Sequence, residues 1–353
     1  MSDLWQTLAA RQAPLVLYGT GDGADKILDV MEAKGLHADG VFASDGFVRS
    51  RTFHGMPVLS YREALARFGE TMTVLIAFGS SRPEVLERFL YLNAHHALYV
   101  PDVPVAGGAL FDAAFAEEHR AAIDEARRLW ADETSRRLYD AVLEAKRYGR
   151  FDALLCEVSE EDDIFSLLKP ETFSVTLDLG AYIGDTAEEL IKRAPALQTV
   201  IAVEPDEKNF AKLCFRTAAC GKVEPHFAAA WDRREALTFT RGGGRGIRGA
   251  KGEKTVTVMG VPADELLAGR KPDYIKIDVE GAERQAIEGC RKCIEADTPA
   301  LRIALYHRSA DLFDIPLLIH RLNPDYRLYL RRKLSVPAWD LDLIAVRKEN
   351  DRV

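Results

Sequence analysis

The sequence predicts an α/β fold made of two parallel sheets that a helical segment joins. Short apolar runs alternate with amphipathic stretches in both halves of the chain, and a glycine turn follows the first apolar run of each half. With 353 residues, the chain is long enough for two domains. We therefore predict a first domain over residues 1–110, a helical connector over residues 111–170 and a second domain over residues 171–353.

The first domain begins with the apolar run from Pro14 to Tyr18, and a helical pattern covers Ala24 to Lys34. Further strand patterns cover Ala38 to Phe42, Thr73 to Ala77 and His96 to Val100. Strands that alternate with helices in this way predict a small parallel sheet of the Rossmann-like type.

A glycine turn follows the first strand and places Gly19, Gly21 and Ala24 in a G-x-G-x-x-A pattern. In nucleotide-binding α/β units such glycines let the backbone approach a pyrophosphate, and Asp45 lies near the offset of the ribose-binding acid. One interpretation is a nucleotide or nucleotide-sugar pocket at this turn. The alternative is a turn needed only for tight packing of strand against helix. The runs V-F-A-S-D-G and F-H-G-M-P-V-L-S are similar to N-terminal domains of some sugar-modifying acetyltransferases and epimerases.

The connector carries apolar residues at helical spacing, such as Ala122, Ala126 and Leu129, with charged residues between them. We expect its helices to pack on the second domain and to help wall a site there. The acidic run from Glu157 to Asp163 is typical of a solvated loop, and a rim that contacts substrate is the alternative.

The second domain opens with the most informative segment of the chain, V-T-L-D-L-G-A-Y-I-G-D-T, from Val175 to Thr186. A strand runs into a glycine turn and then a helix, which brings backbone N–H groups and a positive helix end to a ligand. We expect the two glycines to let the backbone approach that ligand where a Cβ would collide. Asp185 and Thr186 would start the helix, and N-capping is the alternative role of either residue. The candidate binding residues are Asp178, Gly180, Ala181, Tyr182, Gly184, Asp185 and Thr186.

An acid ends the next apolar run, T-V-I-A-V-E-P, at Glu204. In nucleotide-binding α/β units an acid at this position can hold both hydroxyls of a ribose. A surface acid after a strand is the alternative, although Pro205 and Asp206 favour a helix start there.

A later strand pattern, from Tyr274 to Val279, carries charged residues along one face. Charges in a central parallel strand are costly unless they are paired or functional. Asp278 is nearest the carboxyl end, where open sheets bind ligands, so we expect it to act as a base or orienter. Lys276 would pair with it or steer an anionic substrate, and Glu280 or Glu283 would cap the next helix. The alternative is an ion pair that only terminates a buried strand.

His307 follows the fifth strand pattern of the second domain, Leu301 to Leu305. A histidine at a strand end in the same crevice can take a proton near neutral pH, and a structural histidine is the alternative. Two last strand patterns, Tyr326 to Leu330 and Leu341 to Val346, lie too close for a helical crossover and predict an antiparallel pair.

Seven strands with a closing antiparallel pair resemble the class I methyltransferase fold, whose methyl donor is S-adenosylmethionine (SAM). The glycine-turn segment, the run ending at Glu204 and the segment Y-I-K-I-D-V-E-G-A-E are similar, in that order, to the FkbM-type methyltransferase family. The resemblance covers about Asp162 to Val346. It departs from members that carry a glutamate in the strand before His307, so no acid role is carried over from that strand.

This resemblance implies SAM as the cofactor and O-methylation of a sugar-like, glycan or secondary-metabolite hydroxyl. The fold it implies has adenine contacts from the loop holding Trp231 and Asp232. The family's motifs match at Asp178, Gly180, Gly184, Glu204, Asp278, Glu280 and Gly281. The candidate catalytic residues, from their positions at strand ends, are Asp278, Lys276 and His307. One alternative is a nicotinamide-dependent oxidoreductase built on the first domain, although no Tyr-x-x-x-Lys partner follows. Another alternative is a non-catalytic nucleotide- or SAM-binding protein.

Composition narrows the remaining options. The net charge of −8 argues against general nucleic-acid binding. The sequence has no run of about 18 apolar residues, so we expect no membrane span. The five scattered cysteines favour a reducing cytoplasm, and Cys290 and Cys293 read as a buried helical pair rather than a metal or redox motif. We expect no metal site, and a homo-oligomer remains open. The basic glycine-rich stretch from Arg241 to Lys254 would be a flexible hairpin tip or a flap over an anionic acceptor.

Overall fold

The computed structural model describes residues 2–44, 52–241 and 254–348, with the backbone alone for residues 239–241 and 254. Asp45 and the centre of the basic glycine-rich stretch, residues 242–253, lie outside this part of the chain. Three sheets and their covering helices form the described fold. Within the described residues, no helix is both long and apolar enough to cross a membrane.

The first part of the chain forms one sheet with helices packed around it. Its elements are α1 (Leu4–Ala10), β1 (Leu15–Tyr18), α2 (Asp22–Ala33), β2 (Gly40–Phe42), β3 (Thr52–Phe53), β4 (Met56–Leu59), α3 (Tyr61–Phe68), β5 (Thr73–Ile76), α4 (Pro83–His95) and β6 (Ala97–Tyr99).

The strand order in this first sheet is β3-β4-β2-β1-β5-β6 among the described residues. The five strands from β4 to β6 in that order are parallel, which confirms the predicted parallel sheet, and β3 pairs antiparallel with β4. Local sequence sets the helix starts. Ser60 and Glu63 form a capping box at α3, and Pro83 occupies the first turn of α4.

The rest of the chain supplies the connector helices and the second sheet. Its elements are α5 (Ala113–Glu118), α6 (Arg120–Leu129), α7 (Glu133–Tyr148), α8 (Glu161–Leu168), β7 (Val175–Leu179), α9 (Asp185–Arg193), β8 (Thr199–Glu204), α10 (Glu207–Thr217), β9 (Val223–Phe227), β10 (Ala229–Ala230), β11 (Glu235–Arg241), β12 (Lys254–Val261), α11 (Ala263–Leu266), β13 (Tyr274–Ile277), α12 (Glu283–Gly289), α13 (Arg291–Asp297), β14 (Ala300–Ala304), α14 (Asp311–Leu322), β15 (Tyr326–Arg332) and β16 (Leu341–Arg347).

The second sheet has seven described strands in the order β15-β16-β14-β13-β7-β8-β9. The run from β14 to β9 is parallel, and β16 is antiparallel to both β14 and β15. The predicted seven-stranded sheet with a closing antiparallel pair is therefore confirmed. A small third sheet pairs β12 with β10 and, as an antiparallel hairpin, with β11.

Two predicted elements differ from the structure. The predicted strand from Tyr274 to Val279 ends at Ile277, because Glu280 and Gly281 adopt positive φ angles of 55° and 99° and turn the chain. The acidic run was predicted as a solvated loop. Instead, Glu161 begins α8, where acids in the first turn favour a helix N-terminus.

An apolar core runs without a break between the two large sheets. One cluster of buried side chains includes Val16 of the first sheet, Trp130 beside α6 and Leu177 of the second sheet. The helix α6 packs on α14, and α7 packs on β15. The connector helices therefore fill the space between the sheets, while the predicted domain boundaries stay predictions.

Candidate active site

The turn between β7 and α9 is bonded to the end of β8. The backbone N–H groups of Gly180 and Ala181 both donate to the carbonyl of Val203, at 3.0 and 2.9 Å. The N–H of Tyr182 donates to Glu204 Oε2 at 2.8 Å. Tyr182 lies on this turn with a positive φ of 48°, and about half of its surface is exposed. These bonds fix the turn and the predicted ribose acid relative to each other.

The two glycines of this turn are required by contacts within the protein. Gly180 has a φ of 88°, and a Cβ there would overlap the backbone carbonyl of Asp278. Gly184, with a φ of 91°, is the N-cap of α9 and packs against α10. The alternative N-cap role of Asp185 or Thr186 is therefore wrong. The structure supplies a packing reason for both glycines, where the sequence suggested a ligand contact.

Glu204 ends β8 with only 6% of its surface exposed. Its Oε1 accepts from the N–H of Asp206 at 2.8 Å, and Asp206 in turn caps α10 just after Pro205. Burial raises the pKa of Glu204 to about 7, although its backbone hydrogen bonds oppose the shift. The side chain of Asn209 adds a third hydrogen bond to this carboxylate. A carboxylate has about four lone-pair positions, so about one remains for a ligand hydroxyl.

A row of charges crosses the centre of the second sheet. Lys276 lies in register with Asp178 on one side and with Arg302 on the other. Its Nζ is 3.8 Å from Asp178 Oδ1 and 3.7 Å from Asp278 Oδ2. Burial raises the pKa of Asp178 to about 6, with Lys276 opposing the shift. Burial would lower the pKa of Lys276, but the two carboxylates raise it above its ordinary value.

Arg302 extends this row and was missed by sequence analysis. Its guanidinium donates to Asp342 Oδ2 on β16 at 2.8 Å and to Glu161 Oε1 of α8 at 2.5 Å. The acidic run therefore supplies a partner to a buried arginine. A charged residue on the core strand R-I-A-L was the signal available in the sequence.

A cluster of side chains surrounds Asp278 just beyond β13. Tyr306 donates its hydroxyl proton to Asp278 Oδ1 at 3.2 Å. The buried ring of His307 places Nε2 at 3.7 Å from Asp278 Oδ1 and 3.4 Å from Glu280 Oε2. Its Nδ1 lies 2.8 Å from Glu283 Oε1. The structure thus brings together three predicted residues, Asp278, Lys276 and His307.

The charge on His307 differs from the expectation of a neutral ring. Burial would lower its pKa, but the facing carboxylates of Glu280, Glu283 and Asp278 raise the pKa of His307 to about 10. The ring therefore holds its proton at neutral pH and is a cation beside Asp278.

The expected capping of the next helix by Glu280 or Glu283 is wrong, because Ala282 is the N-cap of α12 and no side chain in the described part of the chain bonds there. Glu283 has another role. Its Oε1 accepts from the N–H groups of Val279 and Gly281, at 3.0 and 3.3 Å, and so fixes the loop that carries Asp278. Asp278, Glu283 and His307 also place one ligand-capable atom each within 4.8 Å of one another. Among the described residues, these three could hold a metal ion, although the sequence predicted no metal site.

A segment that follows the first sheet closes one side of this cluster. The N–H of Ala106 donates to the carbonyl of His307 at 3.1 Å. A Cβ on Gly281 would overlap Ala106, and Arg308 Nε donates to the Gly281 carbonyl at 2.8 Å. Residues before the connector therefore take part in the wall of the site.

The predicted adenine-framing residues follow β10. Trp231 Nε1 donates to Glu235 Oε1 at 2.6 Å, and its backbone lies against Gly289. Asp232 Oδ2 lies 3.3 Å from Arg233 Nη1. Both residues are partly exposed, and their predicted contact with adenine stays a prediction.

Comparison with known proteins identifies the domain that carries these residues. Residues 178–333 match the family model of the Methyltransferase FkbM domain. The chain contains an FkbM methyltransferase domain. The matched range begins at Asp178 and includes Glu204, Asp278 and His307, and the cofactor of this domain is SAM. A search of curated proteins finds no match.

Solved structures support the fold. A methyltransferase FkbM from Methylobacillus flagellatus KT is 20% identical and aligns over 97% of this chain and 92% of its own, with a TM-score of 0.71. An rRNA methylase from Streptococcus thermophilus is 12% identical over 52% of this chain and 93% of its own, with a TM-score of 0.36. The first match shows that the shared fold extends over both sheets. The TM-score of the second match is too low to support any argument.

Two features of the FkbM domain fit SAM. Asp178 is fully buried, and neither of its carboxylate oxygens has a hydrogen-bond partner among the described residues. A buried carboxylate without such partners is costly, so an added donor from a ligand would stabilise it. Glu204, at the end of the neighbouring strand, keeps some capacity for a ligand hydroxyl, and its predicted contact with the ribose stays a prediction.

Proposed function

We propose that the FkbM domain transfers the methyl group of SAM to a hydroxyl oxygen of a sugar-like or secondary-metabolite acceptor. The observation that carries this proposal is the position of Asp278. Its carboxylate stands beside Lys276, Tyr306 and His307, and its backbone carbonyl packs on Gly180 in the SAM-binding turn. A base therefore lies next to the methyl donor's turn, at the carboxyl end of the sheet.

SAM supplies a methyl group on a positively charged sulfur. In the proposed reaction, the acceptor oxygen forms a bond to the methyl carbon while the carbon–sulfur bond breaks, which leaves S-adenosylhomocysteine. Asp278 takes the proton of the acceptor hydroxyl, which neutralises the oxygen that would otherwise become positive. The protein's main task is to align the oxygen and the methyl carbon.

Lys276 and His307 are positioning residues in this scheme. Each places a cationic nitrogen within 4.0 Å of Asp278, at 3.7 Å in both cases. The two cations lie beside the carboxylate that would accept the proton of the acceptor and hold its side chain in place. Because His307 is already protonated at neutral pH, Asp278 is the base and His307 holds its charge.

Two features support a hydroxyl-rich acceptor. The carboxylate of Glu280 is half exposed beside His307, and it offers acceptors to hydroxyl groups. The ring of Tyr182 is 53% exposed on the SAM-binding turn and offers a flat apolar surface. We also infer a cytoplasmic location, because Cys156 is an exposed free thiol that suits a reducing compartment.

The test is the replacement Asp278→Asn, which keeps the side-chain shape and removes the base. A panel of sugars and hydroxylated metabolites is screened with the native protein for S-adenosylhomocysteine formation. With an acceptor in hand, Asp278→Asn should lower single-turnover rates by about 10²–10⁴-fold. The affinity for SAM, measured by calorimetry, should change little.

The matched control is Asp314→Asn, a partly exposed acid on α14, which should leave the rate unchanged. A near-normal rate for Asp278→Asn would remove Asp278 as the base. Activity that a chelator abolishes and Mg²⁺ restores would instead assign Asp278, Glu283 and His307 to a metal ion.

A further inference from the structure

The first sheet holds a cavity of about 670 Å³, remote in sequence from the FkbM domain. It opens at the carboxyl ends of β1, β2 and β5, and all its lining residues lie between Tyr18 and Arg88. The strands β2 and β5 flank β1 on opposite sides, so the strand order reverses at β1. Open α/β sheets bind their ligands in this kind of crevice.

The glycines of the β1 turn have different physical reasons. Gly19 has a φ of 120°, and a Cβ there would lie 2.7 Å from the Phe78 ring. Gly23 packs on β5, since a Cβ would lie 2.5 Å from the carbonyl of Ala77. Gly21 has an ordinary φ of −105° and open space around it. Packing within the protein explains Gly19 and Gly23. Gly21 lines the cavity, and its missing side chain leaves space for a ligand.

Aromatic rings form the apolar wall of the cavity. The rings of Tyr18 and Phe42 stack with centroids 4.6 Å apart, and Phe78 meets Tyr18 edge-on at 5.0 Å. Tyr61 adds a fourth ring to the lining. A wall of this kind suits the flat face of a base or sugar ring.

Basic groups and hydroxyls form the polar side. The guanidinium of Arg88 lies 4.3 Å above the Tyr61 ring. Arg82 precedes α4, and its N–H donates to Ser80 Oγ at 3.2 Å. Among the described residues of the lining, Glu84 is the only acid, 3.3 Å from Arg82, so this part of the lining has two arginines and one acid. Arginine is well suited to phosphate, and the helices α2 and α4 both begin at the cavity.

We propose that this cavity binds a nucleoside diphosphate, free or linked to a sugar. The ring lies against the aromatic wall, and the phosphates lie between Gly21 and the arginines. The inference is independent of methyl transfer, because it rests on residues outside the FkbM domain.

The experiment is calorimetry on the full chain with saturating SAM, which blocks adenosine binding at Glu204. The probes are uridine diphosphate, adenosine diphosphate and NAD, with uridine and inorganic phosphate as partial ligands. The variants are Gly21→Val, which fills the space beside the turn, and Arg88→Met. The matched control is Arg67→Met, since Arg67 also lies over a ring, that of Phe68 at 5.2 Å, but does not line the cavity.

At least one diphosphate should bind the native protein, more tightly than either partial ligand. Gly21→Val and Arg88→Met should each weaken binding by about tenfold or more, while Arg67→Met matches the native protein. Unchanged SAM affinity shows that the variants are folded. Absence of binding by all three nucleotides, or binding that both cavity variants retain, would overturn the proposal.

Discussion

Two properties of Glu204 predict that SAM binding depends on pH. It lies at the expected ribose position, and burial raises its pKa to about 7. The ribose hydroxyls donate to the ionised carboxylate, and the protonated form offers fewer acceptors. In the free protein the ionised form is lost as the pH falls below 7, so SAM must bind more weakly at low pH.

Calorimetry across pH measures this effect. For a pKa of about 7, the ionised fraction of Glu204 falls about tenfold between pH 8 and pH 6. The Kd for SAM should therefore rise about tenfold over this range. Glu204→Gln should bind SAM weakly at every pH and lose most of this dependence. A native Kd that stays constant between these pH values would remove Glu204 from the ribose site.

The sequence could place single residues of the site only where a strand pattern fixed them. Asp178, Glu204 and Asp278 stand at or just past strand ends, and the carboxyl ends of parallel strands share one edge. The contacts of Glu283 and Tyr306 around Asp278 arise only because a loop and a side chain turn back towards it. That geometry comes from tertiary packing, which periodicity does not encode.

At the scale of elements, the predicted strands agree best where apolar runs are long and uninterrupted. The runs P-L-V-L-Y and T-V-I-A-V-E form β1 (Leu15–Tyr18) and β8 (Thr199–Glu204), within one residue of the predicted bounds. The hairpin of β3 and β4 was missed, because β3 has two residues and β4 contains Pro57. Edge strands of this length carry too little alternation to be recognised.

The buried arginine of β14 should be important for stability. Arg302 is the cation between two acids, Asp342 and Glu161, and is 8% exposed. Arg302→Leu would leave Asp342 buried without its counter-charge, at a cost of about 3–5 kcal/mol of unfolding free energy. Urea denaturation measures this loss.

The matched control is Arg327→Leu, on the exposed side of β15, which should change stability by about 0.5 kcal/mol or less. Equal losses of unfolding free energy in Arg302→Leu and Arg327→Leu would contradict a stabilising role for the buried ion pairs of Arg302. Combining Arg302→Leu with Asp342→Leu should recover part of the loss, since the unpaired buried charge is then removed.

At the scale of the whole molecule, the two large sheets are joined by direct bonds as well as by the shared core. Ser80, after β5, exchanges two backbone hydrogen bonds with Val336, at 2.9 and 3.0 Å. The ring of Trp339 packs on Gly79, where a Cβ would overlap it. Lys146 and Asp102 form a mostly buried ion pair at 2.9 Å. Both sheets therefore lose contacts if either one unfolds.

This continuity predicts a single unfolding transition. A ligand that binds only the native state adds RT ln(1 + [L]/Kd) to the stability of everything that unfolds with its site. Saturating SAM should therefore raise the midpoint for the whole chain in thermal denaturation. Hydrogen exchange should slow in β1 and β5 of the first sheet as well as in β7. If SAM protected β7 while β1 and β5 exchanged at their earlier rates, or if two transitions appeared and only one moved, the sheets would unfold independently and the shared core would not couple them.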